Sequence, residues 1–254
     1  MYLALTVCFG WILALCVHEF CHALVAYIGG DKTVKDKGYL TLNPLKYTDP
    51  GLTLIVPIVM LMIGGIALPG AAVYINHRNL RNRMWQSLVA AAGPFGTAVM
   101  ILVFAAPFLL QIPPPQNAYW LYPSLALLVL LQIVAFMLNS LPIPPLDGYG
   151  VIEPWLPRSI QASMNQFGRY GIWLVFAAMW FVPFLNDALW GLAFFLSSLL
   201  GVPIELIKIG YGLFSEQKFY LVLVLIGIMF LSRAGKKPVA PPQAQPESIL
   251  EPKQ

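Results

Sequence analysis

Apolar residues run almost without a break from Leu3 to Ile28, and the only strongly polar groups inside that run are His18, Glu19 and His22. The run is long enough for a membrane-crossing helix and closes on Gly29-Gly30 and a charged loop from Asp31 to Lys37. Further apolar stretches cover Leu52 to Ile75, Met84 to Ile112, Tyr119 to Leu141, Tyr170 to Phe184, Leu189 to Leu200 and, more weakly, Lys218 to Leu231. The stretch from Leu52 differs in kind, because Pro57, Gly64-Gly65 and Pro69-Gly70 interrupt it. Lysines precede it, and Arg78, Arg81 and Arg83 follow it. Both flanks therefore belong on the cytoplasmic side, which a single crossing cannot satisfy. The pattern predicts an all-α polytopic membrane protein of about six transmembrane helices, with a re-entrant or β-like membrane loop between the first two core helices. Ala71 to Asn76 is a candidate strand edge within that loop, and a short strand with turns is expected over Tyr39 to Pro44.

The breaks between stretches carry their own signals. Ala92-Gly93-Pro94-Phe95-Gly96 lies inside an apolar segment, where small residues permit close helix approach and proline frees a carbonyl. Pro113-Pro114-Pro115-Gln116-Asn117 is uncharged and suits an external loop. Gly148 to Arg169 reads as a cytoplasmic loop, Asn186-Asp187 as the break between two further segments, and Pro203 to Phe214 as an interfacial helix. Counting a crossing at Lys218 to Leu231 puts Arg233, Lys236 and Lys237 outside, against the charge rule, so one segment in this half is miscounted. The expected division is a core over 1–200, additional membrane or interfacial segments over 201–235, and a disordered Pro, Gln and Ala-rich tail over 236–254.

Composition agrees with this pattern and narrows it. With 59% hydrophobic and 10% charged residues and a mean hydropathy of +0.73, the chain reads as an integral, multi-pass membrane protein whose first partner is the lipid bilayer. A net charge of +4, spread over short loops, reads as topology signal and gives no nucleic-acid surface. Cys8, Cys16 and Cys21 all lie on the first helix, which makes a disulfide framework implausible; Cys21 is assigned to helix packing. The first segment lacks a basic leader and a small-residue cleavage site, and is not expected to be a cleavable signal peptide.

The polar groups inside the first run spell His18-Glu19-Phe20-Cys21-His22, an H-E-x-x-H motif. On a helix, residues four apart share a face, so His18 and His22 can hold one divalent ion together. Glu19 sits too far round to coordinate with them and is placed to take a proton from a water that the metal activates. Ionisable groups at this depth cost roughly 2.5–3.5 kcal/mol each, which argues for a function. Zinc requires a third protein ligand, and His77 lies in an arginine-rich loop that suits a surface residue better. Asp147 is the carboxylate held next to a spanning helix by rigid neighbours, after Pro142-Ile143-Pro144-Pro145-Leu146. Two histidines and a carboxylate in an apolar site suit zinc, one ion per chain.

Taken together, His18-Glu19-x-x-His22, Gly93-Pro94, and Asn139-x-x-Pro142-x-Pro144-Pro145-Leu146-Asp147-Gly148 resemble the site-2 protease family of intramembrane zinc metalloproteases. The likeness covers roughly residues 1–200 and points to the small branch without PDZ or CBS domains. It implies His18, His22 and Asp147 as zinc ligands, Glu19 as general base and Asn139 as a residue that helps hold the substrate or its oxyanion. It also implies that residues 39–76 correspond to a membrane-associated loop that receives extended substrate. Arg78-Asn79-Leu80-Arg81-Asn82 resembles a stretch of that branch. Thr97 stands three residues after the Gly-Pro pair, where the family often has Asn; Asp49-Pro50-Gly51-Leu52-Thr53 and 69–76 also depart from the family pattern.

The function expected is hydrolysis of peptide bonds in or near the transmembrane segments of membrane protein substrates, with the active site opening toward the cytoplasm. A helical substrate must unwind locally to present its carbonyls, which favours pairing with an exposed strand. The rival is a non-proteolytic membrane protein that keeps a structural metal site and binds transmembrane helices. A metal transporter would need polar residues on several helices and repeated halves, and neither is seen.

Overall fold

Twenty-eight residues free of proline form α1 (Tyr2–Gly29), the helix that carries the H-E-x-x-H motif. The computed structural model describes residues 2–46 and 73–217. Beyond α1 come α2 (Thr33–Asp36), α3 (Arg83–Leu109), α4 (Leu121–Asn139), α5 (Asp147–Ile152), α6 (Arg158–Phe181) and α7 (Pro183–Leu199). Residues 204–217 form a further helix, α8. The expected crossing at Lys218 to Leu231 and the tail lie outside the described residues.

The ends of α1 and α3 are closed by specific bonds. Gly30 adopts φ +126°, and the final carbonyls of α1 receive the Arg81 amide at Gly29 O (3.0 Å) and Lys32 Nζ at Tyr27 O (2.8 Å). Asn82 caps α3 by accepting from the Trp85 amide at 3.1 Å. α1 packs chiefly on α3 and then on α4, the most enclosed of the apolar helices, and α3 also carries α5. Gly96 allows the close α1–α3 crossing: a Cβ there would meet Cys21 Sγ at 2.9 Å and Val17 O at 3.2 Å, so Cys21 packs against α3 as expected.

Three helices, α1, α3 and α4, are long and apolar enough to cross a membrane. The outer faces of α1 and α3 carry exposed apolar residues, among them Phe9, Phe95, Leu102 and Val103, as lipid contact requires. A fourth span is possible only as a bent pair, Trp173–Phe181 with Pro183–Leu199, which turns by 96°. The described residues thus hold three or four candidate spans, where the sequence predicts about six. The break falls at Val182-Pro183 instead of Asn186-Asp187, because Pro183 has no amide to continue α6.

Other expectations change as well. Tyr39 to Pro44 forms bends that lead into a 3₁₀ turn at Pro44–Lys46, and no strand; Tyr39 is buried beside Val34. Gly148 to Arg169 is largely helical, since α6 begins at Arg158; its first half is polar and its second apolar, so hydropathy reveals only the second. The re-entrant stretch from Leu52 lies outside the described residues. Of the candidate edge, residues 73–76 are described and run irregularly, without a strand partner among the described residues.

Candidate metal centre

One turn of α1 brings His18 and His22 to the same face, with their Nε2 atoms 3.1 Å apart, buried against α3. Asp147 reaches them from the other end of the sequence. Leu146 is extended, Asp147 opens α5, and Gly148 lets the turn fold back on Ser140, whose backbone a Cβ would strike. The Pro144–Pro145 bond is cis. α5 is tied to α3 through Ser87, whose hydroxyl donates to Val151 O (2.7 Å) and accepts from Trp155 Nε1 (2.8 Å). Asp147 Oδ2 then lies 3.1 Å from His18 Nε2, and Oδ1 lies 3.3 Å from His22 Nε2.

The opposite ring nitrogens decide what the Nε2 atoms offer. His22 Nδ1 donates to the Val89 carbonyl at 2.6 Å, and a carbonyl can only accept. His18 Nδ1 meets Thr97 Oγ1 at 2.9 Å, while that hydroxyl lies 3.3 Å from Gly93 O and donates to it. Both rings therefore carry their proton on Nδ1 and turn the Nε2 lone pair inward. Three lone-pair donors, all within 4.8 Å of one another, would repel unless a cation stood among them. Tetrahedral zinc with bonds near 2.0 Å keeps its ligands about 3.3 Å apart, a separation these atoms match. A Cβ at Gly93 would collide with Nε2 of both histidines, so bare backbone forms the back of this cradle. The residues fit a zinc ion. His77 does not join this group; it is exposed in the 3₁₀ turn His77–Asn79.

A cavity of about 510 Å³ runs from His18, Glu19 and His22 past Val73, Ile75, Ala90 and Asp147 to His77, Glu153 and Asn165. It supplies the water access that a site deep within apolar helices needs. Ala90 is the residue whose carbonyl Pro94 leaves without its helical partner, since proline has no amide to give. Glu19 is buried beside the histidines, and its Oε2 accepts from the Val73 amide at 3.1 Å. Asn139, at the end of α4, is buried and borders both this cavity and a smaller one behind His18.

Comparison with known proteins gives relatives that span most of the chain. A protein of Mycolicibacterium smegmatis named "Putative zinc metalloprotease Rip2" is 37% identical over 201 residues, covering 79% of this chain and 76% of the relative. Its namesake in Mycobacterium tuberculosis is 38% identical over 202 residues, with the same coverage. The chain belongs to the site-2 protease family. "Putative zinc metalloprotease YwhC" of Bacillus subtilis is 37% identical over 191 residues, covering 70% of this chain and 81% of the relative. No family model matches the chain, and no solved structure does either. The site-2 protease relatives support a membrane metalloprotease that uses zinc. Within this family setting, three partners went unread in the sequence: Val89, Val73 and the direct bond of Thr97 to His18. The first two act through backbone atoms and leave no mark in residue identity. Thr97 did leave one, as a departure from the family's Asn.

Proposed function

We propose that the chain is an intramembrane zinc metalloprotease that hydrolyses peptide bonds in or near transmembrane segments of membrane protein substrates. The observation that carries this reading is the convergence of His18, His22 and Asp147, with Glu19 beside them, in one water-accessible cavity among apolar helices. In this reading His18, His22 and Asp147 hold zinc. When bound, zinc supplies Lewis acidity and makes water nucleophilic at neutral pH. Glu19 takes the proton of the attacking water as the new carbon–oxygen bond forms, and returns it to the leaving nitrogen as the carbon–nitrogen bond breaks. Asn139 stands at the cavity wall, where it can donate to a carbonyl oxygen of the substrate. Val73 and Ile75 lie on the cavity wall along which an unwound substrate would run. Lys32, Lys35, Lys37, Arg78, Arg81 and Arg83 gather at the C-terminal end of α1 and the N-terminal end of α3, which supports an opening toward the cytoplasm.

The test compares membranes from cells that express the wild-type chain or Glu19→Gln at equal levels, and maps new peptide ends within hydrophobic segments. Ends found only with the wild type, while both proteins retain zinc, are the expected result. Identical peptide ends in the two samples would overturn the protease reading and leave a non-cleaving, helix-binding protein.

A further inference from the structure

Asp31 stands two residues past the end of α1, is fully buried, and has no part in the chemistry above. Its carboxylate accepts from the Thr33 hydroxyl (2.7 Å), the Thr33 amide (3.2 Å), the Asn76 amide (2.7 Å) and Asn79 Nδ2 (3.1 Å). Burying a carboxylate is costly unless its lone pairs are satisfied, and these four donors satisfy them without a cation. Two of the three donor residues belong to the stretch 73–81, more than forty positions away.

That stretch is the one that lines the cavity with Val73 and Ile75 and gives the Val73 amide to Glu19. Its far end is seated on the end of α1. Arg81 donates to Gly29 O, and a Cβ at Gly30 would come within 2.5 Å of Asn79 O, so only glycine permits the approach. Lys37 Nζ donates to Tyr74 O at 3.0 Å, but this contact is exposed to solvent. Asp31 is therefore a buried polar anchor of the stretch, beside Leu80, which packs with Ala26, Val34 and Tyr39. The Asn76 amide, held by Asp31, and the Val73 amide, held by Glu19, are three residues apart in this stretch, at most about 10 Å.

We propose that Asp31 is a positioning residue. By holding Asn76 and Asn79, it sets the height of the 73–76 wall against Glu19 and the metal ligands, and so the place where an extended substrate segment lies. The inference rests on the protease reading for its substrate, but its anchoring claim can be read without any turnover.

The experiment uses the full chain in detergent, as wild type, Asp31→Ala, Asp31→Asn and Asn79→Ala. Trypsin cleavage after the exposed Arg78 is timed by mass spectrometry, zinc content is measured, and KM and kcat are taken on a transmembrane-segment substrate. Loss of the anchor should speed the cut after Arg78 about tenfold. It should also raise KM more than it lowers kcat, with zinc content unchanged. Asn79→Ala should shift both in the same direction by less, and it decides the matter if the Asp31 variants do not fold. A cut after Arg78 and a KM equal to wild type in the folded variants would overturn the proposal. Failure of the protease reading is seen separately, as cleavage by Glu19→Gln equal to wild type, and it leaves the trypsin result to stand alone.

Discussion

Replacing Thr97 with valine tests the reading of the metal centre most directly. The two side chains share a shape, so the change removes one hydroxyl and little packing. In the wild type that hydroxyl accepts the His18 Nδ1 proton at 2.9 Å and so holds the Nε2 lone pair toward His22 and Asp147. Without it, the buried Nδ1–H has no partner, and the ring does better by moving its proton to Nε2. There the proton meets Asp147 Oδ2, 3.1 Å away. Zinc must then displace a hydrogen bond to a charged group, worth about 1.5–3 kcal/mol, before it can bind. At 1.4 kcal/mol per factor of ten, zinc affinity should fall by about 10–150-fold. Competition with a chromophoric chelator in detergent reads this directly. Thr97→Ser keeps the hydroxyl and should bind zinc nearly as wild type does. Wild-type affinity in Thr97→Val would refute the reasoning, and so would an equal loss in Thr97→Ser, which keeps the hydroxyl.

Other expectations follow from the same geometry. Gly93→Ala should cut zinc content at least about tenfold, by metal analysis of the purified protein, because its Cβ would displace both Nε2 atoms although no ligand residue is changed. Gly30→Ala should lower thermal stability by at least about 1 kcal/mol, since φ +126° and the nearby Asn79 carbonyl both oppose a side chain; an unchanged Tm would remove the claim that this seat requires glycine. Burial pushes the Asp31 carboxyl up, but bonds from the Thr33 hydroxyl, the Asn76 amide, the Asn79 side chain and the Thr33 amide outweigh it and hold the group below its ordinary value. Its stabilising contribution is then fully present above the unfolded value near 3.9 and is lost as pH falls through the folded one. Hydrogen exchange at the Asn76 amide, corrected for intrinsic rate, should stay protected down to about pH 4; protection lost by pH 6 would contradict the assignment.

The grouping of His18, His22 and Asp147 was more legible in the sequence than the architecture. His18, Glu19 and His22 are close neighbours on one helix, so helical periodicity alone predicts which side chains share a face. Asp147 could be read because prolines restrict the backbone around it. The spans were harder. α6 changes from polar to apolar halfway along, and the proline after it ends one helix and starts another at a steep angle, so a hydropathy window counts segments where the chain makes a single bent pair. The partners of the histidines were hidden for a different reason. A carbonyl such as that of Val89 belongs to every residue type, so only the packing of α3 on α1 selects it.

α1 runs uninterrupted from the catalytic carboxylate candidate at Glu19 to its end at Gly29, two residues before the Asp31 anchor. Ten helical steps carry the chain from Glu19 to Gly29, about 15 Å along a rod that turns 100° per residue. The helix therefore works as a phase gauge as well as a span. Deleting or inserting a single apolar residue between His22 and Gly29 would leave the hydropathy profile untouched. It would nevertheless rotate the seat of the 76–81 stretch by 100° and shift it about 1.5 Å relative to the metal ligands. The interval between motif and glycine pair is thus a dimension of the site, fixed by helical pitch and invisible to any test of membrane insertion.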